Sequence, residues 1–375
     1  MTLSLRADRD SGFTQVVGIG GIGTGVAFQL EGEHTLGREE SRRGALLPGR
    51  DYCKLHIVEH YIAVLMGSKE AAASFHVAAI GVVGDDDSGR KLMEEMCQAG
   101  IDTKWIRKDG SRPTLYSVCF LYPDRTGGNI TASNSAAESL NEGDLEQAAN
   151  TMERLGRRCI ALCLPEVPLE IRKNFLNSAS QCGNFRTASF TLAEIVPARE
   201  LGLFSSIDLL ALNEEETSAL VGYARTPENR SRFLQDCAAV LTAFHPSMQI
   251  VVSAGREGAY GFHNGVWNFC PAPRVSAVST AGAGDALLSG VLCGLAAGLP
   301  LISRGNQSSR AASTIDSALE FGVLAASFSV TSQDTIHFQA NVEELQRFAS
   351  SMNISFGEKI RRAIHKSGKT FAEVL

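Results

Sequence analysis

The sequence predicts an α/β fold in which helices cover both faces of a mainly parallel sheet. Short apolar runs alternate with longer segments of helical periodicity over most of the chain. A repeated strand–helix order of this kind brings successive strands into parallel pairing. The predicted strands are residues 15–19, 76–80, 159–164, 186–190, 207–212 and 249–253, and the predicted helices include residues 88–99, 144–155, 169–180 and 228–244.

The alternation runs from about residue 15 to about residue 345 and contains no stretch with the composition of an interdomain linker. We therefore expect one domain over 15–345, with an N-terminal tail over 1–14 and a helical C-terminal extension over 346–375. Within that extension, residues 356–366 are rich in basic residues and have the pattern of a short amphipathic helix.

Three segments interrupt the alternation. Residues 20–50 and 105–135 have Gly-rich, polar or alternating patterns, which suit antiparallel strands that stand off the main sheet as a lid. The Ser-rich stretch 303–317 separates two C-terminal helices and is expected to be a surface loop.

Composition excludes several classes of function. The 375 residues are 44% hydrophobic and 20% charged, as in ordinary soluble proteins, and 35 basic against 41 acidic residues give a net charge of −6. This balance argues against nucleic acid as a partner. Apolar runs are interrupted by Gly and Ser and are too short to span a bilayer, and no secretory signal is visible. The nine cysteines form no Cys-x-x-Cys pair, which favours free thiols in a reducing, cytoplasmic compartment.

A glycine motif near the N-terminus supports one alternative. Residues 18–23 match G-x-G-x-x-G directly after the first predicted strand, as in dinucleotide-binding oxidoreductases. That fold needs a helix after the motif and then a second strand that ends in an acidic residue. Residues 31–44 are polar and contain no strand pattern, so close packing of a strand turn is the competing interpretation.

The motif with the most specific chemistry is Thr280-Ala281-Gly282-Ala283-Gly284-Asp285, which leads into an apolar helical run. Small residues let backbone N–H groups surround an oxyanion, and a helix N-terminus adds its positive dipole end. Asp285 lies in the first turn, where it can accept a proton from a hydroxyl next to the anion. This combination suits phosphoryl transfer to an alcohol; a glycine turn with a helix-stabilising aspartate is the simpler alternative.

Two further motifs follow predicted strands, at the sheet edge where ligands of such folds bind. Asn213 and Glu216, three residues apart, can face the same side of a first helical turn and organise a hydrated Mg²⁺ beside phosphates, or can simply cap the helix. Ser253-x-Gly255-x-x-Gly258 forms a turn whose glycines permit close approach of a ligand to the backbone.

Together and in this order, the motifs resemble those of the ribokinase and phosphofructokinase-B (PfkB) family of carbohydrate kinases. The resemblance covers about residues 16–342 and includes Val83-Gly84-x-Asp86-x-x-Gly89. It implies a ribokinase-like three-layer α/β/α fold with a small β lid, often used for dimerisation. It also implies that ATP is the phosphoryl donor and that Mg²⁺ is required.

The resemblance assigns a role to each matching residue. Asp285 corresponds to the catalytic base, and Gly282, Ala283 and Gly284 to the anion hole for the transferred group. The nucleotide-binding positions, with Mg²⁺ held indirectly through water or phosphate at the first two, are Asn213, Glu216, Ser253, Gly255, Gly258 and Thr280.

The sugar-binding end departs from the family. Gly23 stands where an acidic residue is usual, and Cys53-Lys54 stand where two glycines are usual. Asp51 and Lys54 are the candidates to replace these contacts, with a solvated surface as the alternative. If they do, Lys54 is expected to meet a carboxylate or phosphate of the acceptor, or Asp51 its hydroxyls. Ser279 replaces the aspartate that starts the anion-hole motif in the family. Because this backbone region helps to form a monovalent-cation site in relatives, the sequence does not decide whether K⁺ activates this chain.

The sequence therefore predicts an ATP-dependent kinase that phosphorylates a hydroxyl of a small sugar, sugar derivative or nucleoside, with Asp285 as the base. A ligand sensor without catalytic activity on the same fold is the main alternative, and the dinucleotide-binding oxidoreductase is the other. Retention of Asp285, Asn213 and Glu216 favours the kinase, because a sensor does not need all three.

Overall fold

The computed structural model describes residues 3–8, 12–70, 73–124, 127–303 and 314–366. The strands in these ranges are β1 (Leu3–Leu5), β2 (Gln15–Ile19), β3 (Gly23–Leu30), β4 (Gly44–Leu46), β5 (Asp51–Tyr52), β6 (His76–Gly84), β7 (Ile101–Asp109), β8 (Leu115–Leu121), β9 (Gly127–Thr131), β10 (Cys159–Cys163), β11 (Phe185–Ser189), β12 (Leu209–Asn213), β13 (Gln249–Ser253), β14 (Gly258–His263), β15 (Val266–Pro271), β16 (Thr314–Ile315), β17 (Ser355–Phe356) and β18 (Ile364–Lys366). The helices are α1 (Lys54–Met66), α2 (Asp87–Ala99), α3 (Glu142–Leu155), α4 (Leu169–Gln181), α5 (Ile195–Glu200), α6 (Glu214–Val221), α7 (Arg230–Phe244), α8 (Ala283–Ala296), α9 (Ala318–Ser329), α10 (Val342–Ser351) and α11 (Glu358–Ala363).

The central sheet has nine strands in the order β15-β14-β13-β12-β11-β10-β2-β6-β7. All pairs from β13 to β7 are parallel, while β14 and β15 form an antiparallel edge. The chain adds β6 and β7 on one side of β2 and then β10 to β13 on the other. The strand order therefore reverses between β2 and β10, and ligands bind outside the carboxyl ends of the strands at such a point.

Two hydrophobic cores cover the two faces of this sheet. Because side chains alternate along a strand, Ile160 and Leu162 of β10 join one core, and Ala161 and Cys163 join the other. Buried residues of α1, α2, α8, α9 and α10 fill the first core, and those of α3, α4, α5 and α7 fill the second. The result is the three-layer α/β/α architecture that the sequence predicts.

The six predicted strands coincide with β2, β6, β10, β11, β12 and β13, and the four predicted helices with α2, α3, α4 and α7. The largest difference is in β6, which continues to Gly84 because it pairs along most of its length with β7. No helix in the described ranges is long and apolar enough to cross a membrane.

The segments predicted to form a lid build a separate sheet, ordered β4-β3-β8-β9, with β5 paired to β3. The sequence-based expectation needs two corrections here. Trp105–Asp109 belongs to β7 of the central sheet, because its partner is β6. In addition, β3 and β8 pair in parallel, although the other pairs in this sheet are antiparallel.

The ends of the chain also differ from expectation. Leu3–Leu5 is not a free tail but pairs antiparallel with Ile364–Lys366. The amphipathic helix expected over 356–366 is limited to α11, since the residues on either side of it form β17 and β18. Most of the loop expected at 303–317 lies outside the described residues, and its last part forms β16, which pairs with β17.

The glycines of the G-x-G-x-x-G match are required by packing. A Cβ at Gly18 would lie 2.3 Å from Glu59 Oε1, one at Gly20 would lie 3.0 Å from Leu164 Cβ, and one at Gly23 would lie 2.5 Å from the carbonyl oxygen of Leu115. The chain then enters strand β3 where a dinucleotide-binding fold needs a helix. The motif therefore reflects close packing of a strand turn.

Helix α1 is buried on nearly all sides and carries three buried titratable groups, His56, Glu59 and His60. Burial lowers the pKa of both histidines, that of His60 to about 4. Burial also raises the pKa of Glu59 well above its usual value, although a contact with the backbone of Gly18 acts in the opposite direction. The folded chain therefore favours the neutral form of Glu59 more than the unfolded chain does.

We predict that Glu59→Gln stabilises the protein increasingly as pH rises. In the unfolded chain the carboxyl group releases its proton near pH 4.3, whereas the folded chain holds it to higher pH, so the free energy of unfolding falls as pH rises above that value. Glutamine removes this titration and keeps the shape. The gain in Tm over wild type should grow between pH 5 and pH 8. The exposed Glu94→Gln is the control, and an equal gain for Glu59→Gln at both pH values would contradict the prediction.

Candidate active site

The candidate site lies at the carboxyl ends of the parallel strands, where several helix N-termini meet. Strand β12 ends at Asn213, and β13 ends at Ser253. At the point where the strand order reverses, the turn after β2 contacts the turn after β10 through a hydrogen bond from Gly21 N–H to the Pro165 carbonyl, 2.9 Å long. Glu166 follows directly.

Asp285 lies in the first turn of α8, and its exposed fraction is 8%. The helix begins after Gly282, whose φ of 78° favours glycine. A Cβ at this position would also lie 2.4 Å from the Thr335 carbonyl oxygen. Gly282 thus lets the chain turn into α8 with Asp285 at the helix N-terminus.

The backbone next to Asp285 suits an anion. Ala283 N–H donates a long 3.3 Å hydrogen bond to the Thr280 carbonyl, and the regular helix bonds begin with Ala286 N–H and the Gly282 carbonyl at 2.9 Å. The first amides of a helix lack carbonyl partners within it, and the dipole there favours negative charge. A Cβ at Gly284 would meet nothing within 4 Å, so open space adjoins this turn.

Lys54 is ion-paired with Asp285. It is the first residue of α1, and its Nζ lies 3.5 Å from Asp285 Oδ1, while its backbone N–H donates to Glu166 Oε2 at 3.2 Å. The charge of Asp285, together with that of Glu166, raises the pKa of Lys54 above its usual value despite burial. Burial raises the pKa of Asp285, and Lys54 counteracts this effect. Lys54 thus stabilises the ionised form of a buried carboxylate.

Glu166 is a site residue that the sequence analysis missed. It has a φ of 72°, which is uncommon for a side chain of this size. Burial raises its pKa to about 7, and the charge of Lys54 is the largest opposing effect. The only signal in the sequence is a carboxylate two residues after the predicted strand 159–164, and its importance depends on the strand order.

Asn213 and Glu216 form a capping box at the start of α6. The Asn213 backbone N–H donates to Glu216 Oε2 at 2.8 Å, the Asn213 side-chain amide donates to Oε1 at 3.0 Å, and Glu216 N–H donates to Asn213 Oδ1 at 2.8 Å. Burial raises the pKa of Glu216 to about 7, and Lys54 and Asp285 also affect it. Glu216 therefore lies close enough to the Lys54–Asp285 pair to share its electrostatic field.

This geometry fits a magnesium ion that is held indirectly. Both Glu216 oxygens already accept hydrogen bonds, and no group of three or more His, Cys, Asp or Glu in the described ranges could hold a metal ion directly. Mg²⁺ keeps several waters and is usually bound through one or two carboxylates plus substrate phosphates. Glu216 and Asn213 suit the water-mediated part of such a site.

Asp51 comes from the lid sheet. It lies in β5, opposite Gly25 of β3, and its Oδ2 accepts hydrogen bonds from the Ser117 hydroxyl at 2.8 Å and the Cys119 thiol at 3.4 Å. Its charge contributes to raising the pKa of Asp285. The lid sheet therefore brings a carboxylate close enough to Asp285 to affect its ionisation.

The backbone beside Asp51 is tied to the anion motif. Arg50 N–H donates to Asp334 Oδ1 at 2.6 Å, Tyr52 N–H donates to Thr335 Oγ1 at 3.0 Å, and Thr335 N–H donates to the Arg50 carbonyl at 3.1 Å. The carbonyl of Thr335 is the group that restricts position 282 to glycine. The lid strand and the anion motif thus share one support.

A cavity of about 730 Å³ adjoins the anion motif, a volume typical of a small-molecule site. Every predicted nucleotide-binding residue except Asn213 and Glu216 lines this cavity. Two of the three predicted anion-hole residues line it as well. Those lining residues are Ser253, Gly255, Gly258, Thr280, Ala283 and Gly284. Apolar side chains of α8 and α9 complete one wall, including Leu287, Val323 and Ala326. This cavity therefore adjoins the helix turn that carries Asp285.

Comparisons with known proteins agree with this arrangement. The family model described as pfkB family carbohydrate kinase matches residues 62–341. The chain is 25% identical to a probable fructokinase-7 of Arabidopsis thaliana over 285 residues, which cover 73% of this chain and 78% of that protein. It is 25% identical to a 2-dehydro-3-deoxygluconokinase of Thermoproteus tenax over 269 residues, covering 67% and 78%.

Among solved structures, a ribokinase from Giardia lamblia superposes with a TM-score of 0.71 at 14% identity, over 90% of this chain and 99% of that one. This likeness confirms the ribokinase-like fold. The family model spans most of the chain, and the relatives it resembles are named as kinases. The chain therefore belongs to the pfkB family of carbohydrate kinases, which makes it a phosphotransferase.

Proposed function

We propose that this kinase transfers the γ-phosphoryl group of ATP to a hydroxyl of a small sugar, sugar derivative or nucleoside, with Asp285 as the general base. The observation that carries the proposal is the position of Asp285. Its carboxylate is buried at a helix N-terminus beside the 730 Å³ cavity and is ion-paired with Lys54 at 3.5 Å.

Asp285 would take the proton of the acceptor hydroxyl as that oxygen attacks the γ-phosphorus. A base must be ionised to do so, and burial alone would favour its neutral form. The ammonium of Lys54 supplies the opposing charge. The acceptor molecule would bind with its reacting hydroxyl at Asp285. The carboxylates of Asp51 and Glu166 would accept hydrogen bonds from the other hydroxyls of the acceptor.

The donor side depends on the cavity and the anion motif. The turn of Ser253, Gly255 and Gly258 would contact the nucleotide, and the amides at 282–284 would stabilise charge on the transferred group. A bound Mg²⁺ would neutralise phosphate charge there, and Asn213 and Glu216 would orient its waters. The lid would exclude bulk water, which otherwise competes as acceptor.

The lid sheet also has an apolar outer face. Strand register puts Val26, Phe28, Leu46, Phe120 and Ile130 on the face opposite Asp51. Leu46 and Ile130 are 61% and 64% exposed. Exposed apolar side chains gathered on one sheet face are typical of an interaction surface. We propose that two copies of the chain pair through this face.

We also propose a cytoplasmic location. All nine cysteines are free thiols, and six of them are buried: Cys53, Cys159, Cys163, Cys237, Cys270 and Cys293. Unpaired thiols in this number suit a reducing compartment.

Asp285→Asn is predicted to abolish turnover and to leave ATP binding nearly unchanged. Asparagine cannot accept the proton, but the backbone of the anion motif stays in place. The expected loss in kcat is at least about 10²–10⁴-fold, the usual contribution of a positioned base. Steady-state kinetics and nucleotide titration measure the two effects, with the surface variant Asp102→Asn as the control.

An Asp285→Asn variant that kept most of its activity would rule out Asp285 as the base. Wild-type protein that bound a sugar or nucleoside together with ATP, and yet formed no phosphorylated product, would support the sensor alternative.

Glu216→Gln is predicted to raise the Mg²⁺ concentration needed for half-maximal activity and to lower kcat, because a carboxylate charge near the metal is lost. Glutamine also places a donor against the Asn213 amide, so Tm is measured in parallel to detect loss of the cap. Glu215→Gln, on the exposed side of the same turn, is the matched control. An unchanged Mg²⁺ titration would limit Glu216 to helix capping.

A charge in the outer face of the lid sheet should prevent pairing of the two copies. Ile130→Asp is expected to give a monomer where the wild type gives a dimer, as measured by light scattering coupled to size-exclusion chromatography. Val266→Asp is the control, since Val266 is 57% exposed in β15 of the central sheet. A wild-type protein that is monomeric at micromolar concentration would contradict the proposed dimer.

A further inference from the structure

Arg225 joins two segments of the donor side. It lies between α6 and α7, and its guanidinium is ion-paired with Glu214 through Nε and with Glu257 through Nη2, the second pair at 3.1 Å. Although Arg225 belongs to a connecting segment, its side chain is only 12% exposed. A guanidinium carries its donors in a rigid plane, so it can hold two carboxylates at a fixed separation.

The first of the two segments is the start of α6. Glu214 is the first residue of this helix and directly follows Asn213, which forms the capping box with Glu216. Asn213 and Glu216 are the residues proposed to orient the waters of Mg²⁺. Glu214 is not among the described residues that line the 730 Å³ cavity. Its pair with Arg225 therefore acts on the position of the helix start.

The second segment is the nucleotide turn. Glu257 lines the cavity together with Gly255 and Gly258. Its backbone carbonyl accepts a 3.0 Å hydrogen bond from the N–H of Ala272, which also lines the cavity. Two stretches of the cavity wall are thus joined at Glu257, and the side chain of this residue connects both of them to Arg225.

Arg225 continues a connection that the sheet leaves unfinished. Strands β12 and β13 pair in parallel, and the last pair of residues in this ladder is Asn213 with Ser253. Beyond that pair, the two chains leave the sheet as the start of α6 and the nucleotide turn. The two ion pairs of Arg225 link these chains at Glu214 and Glu257, just past the end of the ladder.

Arg225 also separates like charges. The first turn of α6 has three consecutive acidic residues, residues 214–216, and Glu257 adds a fourth from the nucleotide turn. Two carboxylates that share one guanidinium lie close enough to repel each other once it is removed. That repulsion would widen the gap between the helix start and the turn. A small misplacement of binding groups weakens a ligand that has to contact both of them.

We propose that Arg225 is a positioning residue for the phosphoryl donor. It fixes the spacing between the start of α6 and the nucleotide turn, so that Asn213 and Glu216 organise Mg²⁺ while the turn contacts the nucleotide. Arg225 acts through Glu214 and Glu257, since it is not among the described residues that line the cavity. This inference rests on the proposed kinase function and adds a residue to its donor side.

The test measures donor binding without an acceptor. Isothermal titration calorimetry with AMP-PNP and Mg²⁺ should give a Kd about fivefold higher for Arg225→Met than for the wild type. Arg347→Met is the matched control, because Arg347 also pairs with two glutamates, Glu343 and Glu344, on the surface of α10. In steady-state kinetics, Arg225→Met should raise KM for ATP by a similar factor. KM for the best acceptor among ribose, fructose and inosine should stay unchanged.

A second variant separates positioning from a purely structural role. Glu214→Gln alone should raise the Kd for AMP-PNP about twofold, because one of the two ion pairs is lost. In the Arg225→Met background the same change should lower the Kd about twofold, because it removes the repulsion from Glu257. Glu215→Gln, on the exposed side of the same turn, should have no effect in either background. If Arg225→Met does not fold, Glu214→Gln and Glu257→Gln test the two ion pairs singly.

The outcomes separate this inference from the proposed function. A wild-type Kd for Arg225→Met would overturn the inference, whether or not Tm falls, and so would additive losses in the double variant. If the wild type binds AMP-PNP but phosphorylates no acceptor, the proposed function fails, while the Kd values still decide whether Arg225 positions the nucleotide. A wild type that does not bind AMP-PNP would overturn both.

Discussion

The ion pair between Lys54 and Asp285 is the interaction on which the site depends. It joins the first residue of α1 to the first turn of α8, and these two helices pack along each other under the same face of the sheet. The side chain of Asp285 is nearly buried and that of Lys54 is one-third exposed, so loss of Lys54 would leave a poorly solvated carboxylate without its partner, which destabilises the folded site. Every other feature of the site is arranged around this contact: the anion motif precedes Asp285, and Glu166 holds the backbone of Lys54.

The strand order explains why these groups meet. Because β10 returns to the other side of β2, the turns after both strands lie next to each other, and Glu166 and Gly21 are in contact. Residue 21 has to be glycine, since a Cβ there would lie 2.4 Å from the Glu166 side chain. Gly21 lies between the glycines that match a dinucleotide motif, and it makes room for a carboxylate at the reversal point of the sheet.

Much of the fold can be predicted from local sequence patterns. The parts that cannot be predicted in this way depend on contacts between segments that are distant in the sequence. The central strands and helices have clear apolar periodicity, so the sheet, its helices and the edge that bears Asn213, Ser253 and Asp285 are predictable. The parallel pairing of β3 with β8 joins segments about 90 residues apart, and alternation within one segment cannot reveal it. Glu166 was missed for the same reason: only the order of the strands gives this carboxylate its neighbours. Lys54 was found, but its partner became evident only from the contact itself.

The site combines one rigid wall with one that belongs to the lid. Helix α1 is buried on nearly all sides, even at His56 and Glu59, so Lys54 is anchored to a part of the molecule that has little freedom to move. Asp51 lies instead on a two-residue strand of the lid sheet, and Thr335 connects its neighbours to the turn at Gly282. Any shift of this part of the lid would therefore act on the turn at Gly282 that leads into the anion motif. The Lys54–Asp285 pair thus belongs to the fixed wall of the proposed site, and the carboxylate of Asp51 to the wall that the lid sheet provides.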